Sequence, residues 1–588
     1  MVVRHAQHRF AFGWGLSLCA LTFVGCNRGG DDGGAVDTEG DSETEGDDLP
    51  GTTGGDDVDP SADDTASAGE TEDDTGGDPP EDVVPRAGGL RRLLSHQYVD
   101  SIGYILGPEA AAVATAPNDP SVGTFDAMAT IDSVPSSPDV EMYEASAAAV
   151  ADAAIANPAR LSSLVPCVTA GPADDDCYQL AARQIGLMAW RRPLTDEQAN
   201  GLVSIAQDAQ AWADGDWDTG LRYMLTAIFQ SPRFLYLVEV GTPAGADEPR
   251  ELDGYEIAAR TSFFILGRTP DTETLAMAGA GELDSDEGVR ALAEAMLEEP
   301  EARTNLERFW GEYLTIRDLP SKGKSEELFP LFSPALADAM YTETVLLTQD
   351  IVFQQDTSVL NLFTADYTFI NDELAALYGV AAPAGSNFGV VALPPAQGRA
   401  GILSQAGWLA MQSHTNVNSP TRRGLFVSEQ LLCQEIPPPP PRVNPEPISV
   451  DPGETLRDAL AQHMEDPSCA SCHVVTDPIG FAFEHYDAIG AYRNLDNGLP
   501  VDATGDVAGL GAFDGAAELA GLVAADERLP RCMVEKVYTA SLGWIPEDGE
   551  EPGFDAVNEQ WGAADLRMKQ LMVELATSPL FRLVGEPK

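Results

Sequence analysis

The chain has 588 residues, with 95 Asp and Glu against 34 Lys and Arg and a formal net charge of −61. That balance disfavours nucleic-acid binding, because phosphates need a basic footprint. The length is too great for a single core, so several domains are expected.

The N-terminus reads as an export signal. Arg4 and Arg9 precede an apolar run, Phe10–Val24, of 15 residues. Such a run suits a secretory signal and falls short of the roughly 20 residues of a membrane-spanning helix. It closes on Phe23-Val24-Gly25-Cys26, which resembles a bacterial lipoprotein signal with Cys26 as the lipidated residue. Phe23 stands where an aliphatic residue is usual. The alternative is an ordinary signal peptide over 1–25. Either way the mature protein is expected outside the cytoplasm, held at a membrane by its lipid if Cys26 is modified.

Residues 26–88 change character. Between Asp31 and Asp82 stand 21 acidic residues and no Lys or Arg. Such a stretch repels itself and cannot bury a core, so a disordered tether is expected. Calcium binding is the sharper alternative, but the regular Asp spacing of calcium loops is missing. Without the tether the body still carries a net charge of about −40.

The body reads as mainly α. Leu90, Leu93, Leu94, Tyr98, Ile102 and Ile105 recur at helical spacing up to Gly107-Pro108. Helices are expected over Asp139–Ile155, Asp176–Trp190, the stretch ending at Trp212, Leu221–Phe229 and Tyr255–Leu266, the last capped by Asp253. Further helices fit Asp286–Leu297, Glu301–Tyr313, Pro334–Gln354, Asp372–Tyr378, Arg399–Met411, Arg423–Cys433, Thr455–Met464, Arg531–Leu542 and Ala564–Ala576. Val390–Leu393 is one of few strand-like runs. Asp214, Asp216 and Asp218 alternate but lack the Gly and Glu of an EF-hand, so a solvated turn is expected. Pro437–Pro441 must be extended polyproline II, a stiff spacer about 15 Å long.

The chemistry concentrates in Cys469-Ala-Ser-Cys472-His473. C-x-x-C-H is the attachment signature of c-type haem. Two thiols on one helical turn reach the vinyl groups of one porphyrin, and the next residue offers an imidazole to the iron. A structural zinc site needs a second ligand pair, and none is obvious. A thioredoxin-like redox pair needs a βαβ context, also not seen. The expected cofactor is haem c, with His473 as proximal ligand. Met533 and His414 lead the candidates for the distal position, ahead of His463, His485, Met411 and Met464. Pro478 is expected to turn the chain and Gly480 to allow close approach to the porphyrin. Phe481, Phe483 and Tyr486 would wall the haem edge, or serve as ordinary core aromatics.

With Cys19 leaving with the signal, Cys26 as the lipid site, and Cys469 and Cys472 at the haem, four of the eight cysteines remain: Cys167, Cys177, Cys433 and Cys532. An even remainder in an oxidising compartment suggests two disulfides. Three pairings are possible; Cys167–Cys177, which closes a short loop, is the simplest choice and leaves Cys433–Cys532 as an expected clamp around the haem segment.

Several motifs resemble a known family. These are Leu90–Gly107; Cys177–Trp190 followed by R-R-P-L-T at Arg191–Thr195; Q-S-P-R-F-L-Y from Gln230 and A-A-R-T-S-F-F from Ala258; G-I-L-S from Gly401, S-P-T-R-R-G from Ser419 and Cys469–Tyr486; and Arg531–Gly543 with S-P-L-F from Ser578. Together they are similar to the large exported bacterial proteins built from a serial array of domains of unknown function, associated with planctomycete-type cytochrome c proteins. The separate N-terminal cytochrome module of some relatives is missing here, and the acidic tether stands in its place. The resulting boundaries are 89–160, 161–245, 246–395, 396–500 and 501–588.

Three functions are compatible with these readings. One is an exported, lipid-anchored c-type cytochrome that exchanges electrons with a redox partner. Another is a haem-dependent oxidoreductase whose helical body binds an organic substrate, such as a polysaccharide or its breakdown product. The last is a non-enzymatic surface scaffold whose C-x-x-C-H is structural or zinc-binding. No G-x-S-x-G, H-E-x-x-H or phosphate-binding glycine loop points to other chemistry.

Overall fold

The computed structural model describes residues 83–587, apart from 121, 132, 171–174, 244, 246–247, 386–387, 438–448 and 464–466. The signal peptide, Cys26, nearly all of the tether, Pro438–Pro441 and Met464 lie outside the described residues.

The first element departs from the expected helix. Gly89–Arg92 is a strand, antiparallel to Tyr236–Glu239 with Gly89 opposite Glu239. Helix begins only at Ser95 and runs to Leu106. The polar partners explain the switch. Arg91 pairs with Glu239 at 3.2 Å and Arg92 with Asp119 at 2.8 Å. The Asp119 carboxylate also accepts from the Ser95 amide and hydroxyl, at 2.8 and 2.7 Å. A carboxylate over the first turn satisfies helix amides that have no partner within the helix.

The first helical core gathers Ser95–Leu106, Ser137–Ala156, Asp175–Trp190, Asp196–Trp212 and Trp217–Phe229. Each start has a local cause. Ser136 and Asp139 form a capping box, as do Thr195 and Gln198, and Asp216 accepts from the Thr219 amide. Asp216 is thus a helix cap in a turn, as its surroundings implied. Tyr98, Ile102, Val150, Ile185 and Phe229 are fully buried between these helices. Cys167 and Cys177 are joined in a disulfide at this core's edge. Arg191, of the R-R-P-L-T motif, is fully sequestered and donates to the carbonyls of Ala189, Arg233, Phe234 and Tyr236.

A larger core runs continuously through the rest of the body. Ile257, Trp310, Leu347, Trp408, Phe483, Met533, Trp561 and Phe581 all belong to it. Asp253 caps Gly254–Ile265 as expected, accepting from Tyr255 and Glu256 amides at 3.0 Å each. Three expected helices are broken, one of them Arg423–Cys433, which passes into a π turn at Phe426–Leu431. Pro334–Gln349 passes into a π turn at Asp350–Gln355. Over Arg399–Met411, helix forms only at Ala406–Met411, after a 3₁₀ turn at Ile402–Ser404. Gly401 causes that break: it has φ +53° and a β-carbon there would meet the Phe363 carbonyl at 2.3 Å. Among the helices absent from the sequence reading are Ala516–Ala525, Glu551–Ala563 and Thr272–Ala280. Pro552 disguised the second, although a proline in a first turn is well tolerated. The strand-like run is real, with Gly389–Ala392 pairing antiparallel to Tyr367–Ile370. Among the described residues no helix is long and apolar enough to cross a membrane.

Candidate haem-binding site

One helix, Pro467–Phe481, carries the whole C-x-x-C-H motif. Positions i, i+3 and i+4 share a helix face, so Cys469, Cys472 and His473 project to the same side. Both cysteines are half-buried and neither is in a disulfide. The Cys472 thiol donates to the Pro437 carbonyl at 3.1 Å, which ties the motif to the residue that opens the proline run.

His473 is oriented from one turn further on. Its Nδ1–H donates to Asp477 Oδ2 at 2.8 Å, and the Asp477 side chain is fully buried. A carboxylate only accepts, so the ring proton stands on Nδ1 and the lone pair on Nε2. The hydrogen bond to Asp477 raises the His473 pKa against an opposing effect of burial. Asp477 is held in turn by Thr421, whose hydroxyl donates to Oδ1 at 2.8 Å. Thr421 lies in the S-P-T-R-R-G motif, so that motif supports the imidazole from behind.

The two motifs meet through glycines. The helix Pro420–Leu425, capped by Ser419, packs directly on Pro467–Phe481. A β-carbon on Gly424 would stand 1.8 Å from the Thr476 carbonyl oxygen, and one on Gly480 would stand 1.9 Å from that of Pro420. Gly480 therefore serves backbone contact with Pro420, a correction to its expected place against the porphyrin. Pro478 is corrected too: it lies inside the helix, which continues to Phe481. The proline removes one helix amide bond, three residues before the helix ends at Phe481.

The segment after the helix is fixed by buried charge. Arg423 has no exposed surface and donates to the carbonyls of Phe483, Tyr486 and Asp487 at 2.9, 3.1 and 2.9 Å. Burial lowers its pKa to about 10. Glu484 accepts from Asn418 at 2.5 Å and from Arg493 at 2.9 Å. Burial outweighs these cations and raises the Glu484 carboxyl to about 7. Phe483 packs on Trp408, Phe481 lies under Arg457, and Tyr486 donates to the Gln397 carbonyl. These three rings are core aromatics with protein neighbours.

The distal candidates are dispersed. Met533 is fully buried in the large core, on the helix Arg528–Leu542. Its neighbour Cys532 is joined to Cys433, so the expected clamp is present. His414 sits half-buried in the turn closed by Ser413 and Asn418. Burial and the cations Arg422, Lys324 and Lys322 lower its pKa to about 4. His485 is engaged through Nδ1 with the Arg493 carbonyl at 2.9 Å, and Met411 ends the helix Ala406–Met411. His463 ends Leu456–His463, while its side chain lies outside the described residues. The helix Leu456–His463 packs on the motif helix, and His414 feels the charge of Arg422, which follows Thr421 in the supporting helix.

The donor set suits haem c. It supplies two thiols outside any disulfide and an imidazole whose Nδ1 proton is committed to a carboxylate. Sequence reasoning missed Asp477, Thr421, Gly424 and Arg423. The first was legible, since Asp477 lies four residues after His473. The others depend on contacts across more than 50 residues of chain.

Four families match in series. Residues 177–239 match a protein of unknown function (DUF1595), 252–380 another (DUF1592), 399–496 the PSCyt3 protein of unknown function (DUF1588), and 511–581 a further one (DUF1585). No curated protein and no solved structure matches the chain. The C-x-x-C-H helix and the S-P-T-R-R-G helix that supports it both fall inside the match named for a cytochrome. With four such domains in this order, the chain belongs to the multi-domain family built from a serial array of domains of unknown function, associated with planctomycete-type cytochrome c proteins.

Proposed function

We propose that this chain is an exported, lipid-anchored haem c protein of electron transfer, with Cys469 and Cys472 as the thioether-forming residues and His473 as proximal ligand. The observation that carries the reading is the His473–Asp477 hydrogen bond at 2.8 Å on the helix that also bears both thiols. A metal-ligating histidine characteristically donates its other ring N–H to a carboxylate or carbonyl, which fixes the tautomer and raises its basicity. Haem in such a site supplies a one-electron iron couple. The protein's part is to aim Nε2, to hold the imidazole electron-rich through Asp477 and Thr421, and to brace both helices at Gly424 and Gly480. Met533 and His414 are retained as the distal candidates.

Two disulfides favour an oxidising compartment outside the cytoplasm, where haem is also attached to C-x-x-C-H. A bare electron carrier needs only about a hundred residues, so the helical body is proposed to bind an organic substrate or a partner. The scaffold alternative with zinc at the C-x-x-C-H is weaker. Among the described residues no group of three or more His, Cys, Asp or Glu is placed to hold a metal ion.

The test is a haem stain on a denaturing gel after co-expression with a c-type maturation system. Stain is expected in the parent and lost in the Cys469→Ala, Cys472→Ala variant. A reduced-minus-oxidised spectrum then reports coordination, and Met533→Ala and His414→Ala are compared for loss of the low-spin form. An unstained parent band overturns the haem reading and moves the question to zinc content.

A further inference from the structure

The largest of the cavities described, about 770 Å³, shares no lining residue with the C-x-x-C-H helix. It opens where residues 84–91, the strand Tyr236–Glu239, the helix Gly254–Ile265 and the helix Arg528–Leu542 come together. Its volume falls within the 300–1,000 Å³ of small-molecule sites, and such sites favour junctions between domains. This junction joins three of the four matched families, since Glu239, Arg260 and Tyr538 belong to one each.

The wall chemistry is mixed and balanced. Glu239 accepts from Arg260 at 2.9 Å and from Arg91 at 3.2 Å. Arg86 pairs with Glu547 at 3.0 Å and Glu550 at 3.2 Å, and Tyr538 donates to Glu550. Arg91 and Arg260 thus share Glu239, and Arg86 faces Glu547 with Glu550 behind it, so three guanidiniums meet three carboxylates and neither sign dominates. Trp544 supplies an aromatic face, with Arg86 stacked over it at 5.3 Å. One donor is left over. Arg91 is only 6% exposed, and its enclosed Nε–H has no acceptor among the described residues. A buried donor of this kind calls for an acceptor from a ligand or water. At Gly89, a β-carbon would find open space rather than protein.

We propose that this cavity binds a neutral, polyhydroxylated ring compound, of the mono- to disaccharide class. A hydroxyl both donates and accepts, so it uses carboxylates and guanidiniums side by side. The apolar face of a sugar ring suits an aromatic platform such as Trp544. A wall of donors alone would select anions, and an apolar wall would select hydrocarbon. Glu239 remains an acceptor at any ordinary pH: burial works to raise its pKa, but Arg260 and Arg91 bring it down to about 2. This inference stands apart from the haem reading.

The experiment is a titration of the full chain, followed by intrinsic tryptophan fluorescence. The probes are cellobiose, maltose and diacetylchitobiose, with digalacturonate and 1-octanol as anionic and apolar comparators. Saturable binding of at least one neutral disaccharide is expected. Gly89→Phe, which fills open space, and Trp544→Ala should each weaken it by about tenfold or more. Calorimetry serves as the readout for Trp544→Ala, and each variant is read against an unchanged melting temperature. The site is overturned if no neutral sugar binds up to roughly 10 mM. It is equally overturned if only a comparator binds, or if whichever variant folds keeps the parent's affinity. A haem stain on the same preparation separates the two readings: sugar binding without haem, or haem without sugar, rejects one and leaves the other.

Discussion

Gly424 and Thr476 touch backbone to backbone, so that a β-carbon at 424 would stand 1.8 Å from the Thr476 carbonyl oxygen. The contact seats the C-x-x-C-H helix on its support, and Gly480 repeats it against Pro420 at 1.9 Å. Backbone cannot swing aside as a side chain can. Gly424→Ala and Gly480→Ala are therefore each expected to cost about 3 kcal/mol, the upper part of the range for overpacking. Gly521 is the control. It lies exposed in Ala516–Ala525 with nothing within 4 Å of a β-carbon. There, Ala should stabilise by about 0.5–1 kcal/mol through helix propensity. Urea unfolding midpoints of the three variants check the contrast, and equal effects at 424 and 521 would remove the packing argument.

A buried carboxyl sets part of the pH dependence. Glu343 is fully enclosed and accepts from Thr368 at 2.8 Å and Tyr378 at 2.8 Å. Burial raises its pKa from 4.5 to about 7, against the hydrogen bonds and Arg399, which lower it. The folded state thus keeps a proton that the unfolded chain gives up. This contribution is fully present below pH 4.5, declines as pH rises, and is lost once pH passes about 7. A displacement of this size corresponds to about 3 kcal/mol. Glu343→Gln should match the parent near the acid end of that window and exceed its stability above it. Urea titrations at several pH values, parent against variant, measure the difference. Parallel curves would show that Glu343 does not titrate in the window.

How much of this was legible in sequence follows from the range of each interaction. Asp253, Ser136 and Thr195 cap helices through residues within three positions, and their starts were readable within a residue or two. Leu90 was misread because its strand partner, Val238, is 148 positions away. The C-x-x-C-H motif announces its chemistry in five residues. What orients it does not: Thr421 reaches Asp477 across 56 positions, and Gly424 looks like a helix breaker until Thr476 is placed against it. Elimination of Cys19, Cys26, Cys469 and Cys472 leaves the four disulfide cysteines, and the short loop between Cys167 and Cys177 selects among their three pairings. The π turns at Asp350–Gln355 and Phe426–Leu431 have no local signature and were read as plain helix.

On the haem proposal, Asp477 tunes the iron through His473. Asp477→Asn keeps an oxygen acceptor for Nδ1–H while removing the charge, so haem should remain covalently attached. A less basic imidazole stabilises the oxidised iron less, and the reduction potential should rise. Asp477→Ala removes the orienting bond altogether and should add heterogeneity to the low-spin spectrum. Potentiometric titration of both variants tests this. A potential equal to the parent's in Asp477→Asn would show that the carboxylate has no electronic role.

The R-R-P-L-T motif holds two adjacent arginines with opposite consequences. Arg192 makes a bidentate pair with Asp253 at 2.9 and 2.7 Å, but the arginine side chain is half exposed. Exposed pairs contribute about 0.2–1 kcal/mol. Among the described residues Arg191 has no carboxylate partner. It is enclosed by protein, with φ +58°, and burial lowers its pKa to about 9. Its guanidinium satisfies the carbonyls of Ala189, Arg233, Phe234 and Tyr236, and so binds the motif to the short helix Pro232–Leu235 and the start of the strand Tyr236–Glu239. Removing it strands buried carbonyls, each worth about 1 kcal/mol or more. Arg191→Ala should therefore destabilise by about 3–4 kcal/mol, and Arg192→Ala by under about 1 kcal/mol. Arg191→Lys should fall nearer to Ala than to the parent, because a compact ammonium cannot fan out to four acceptors. Urea unfolding of the three variants measures the order. A larger loss at 192 than at 191 would mean that the exposed ion pair, rather than the buried carbonyl cage, holds the motif in place.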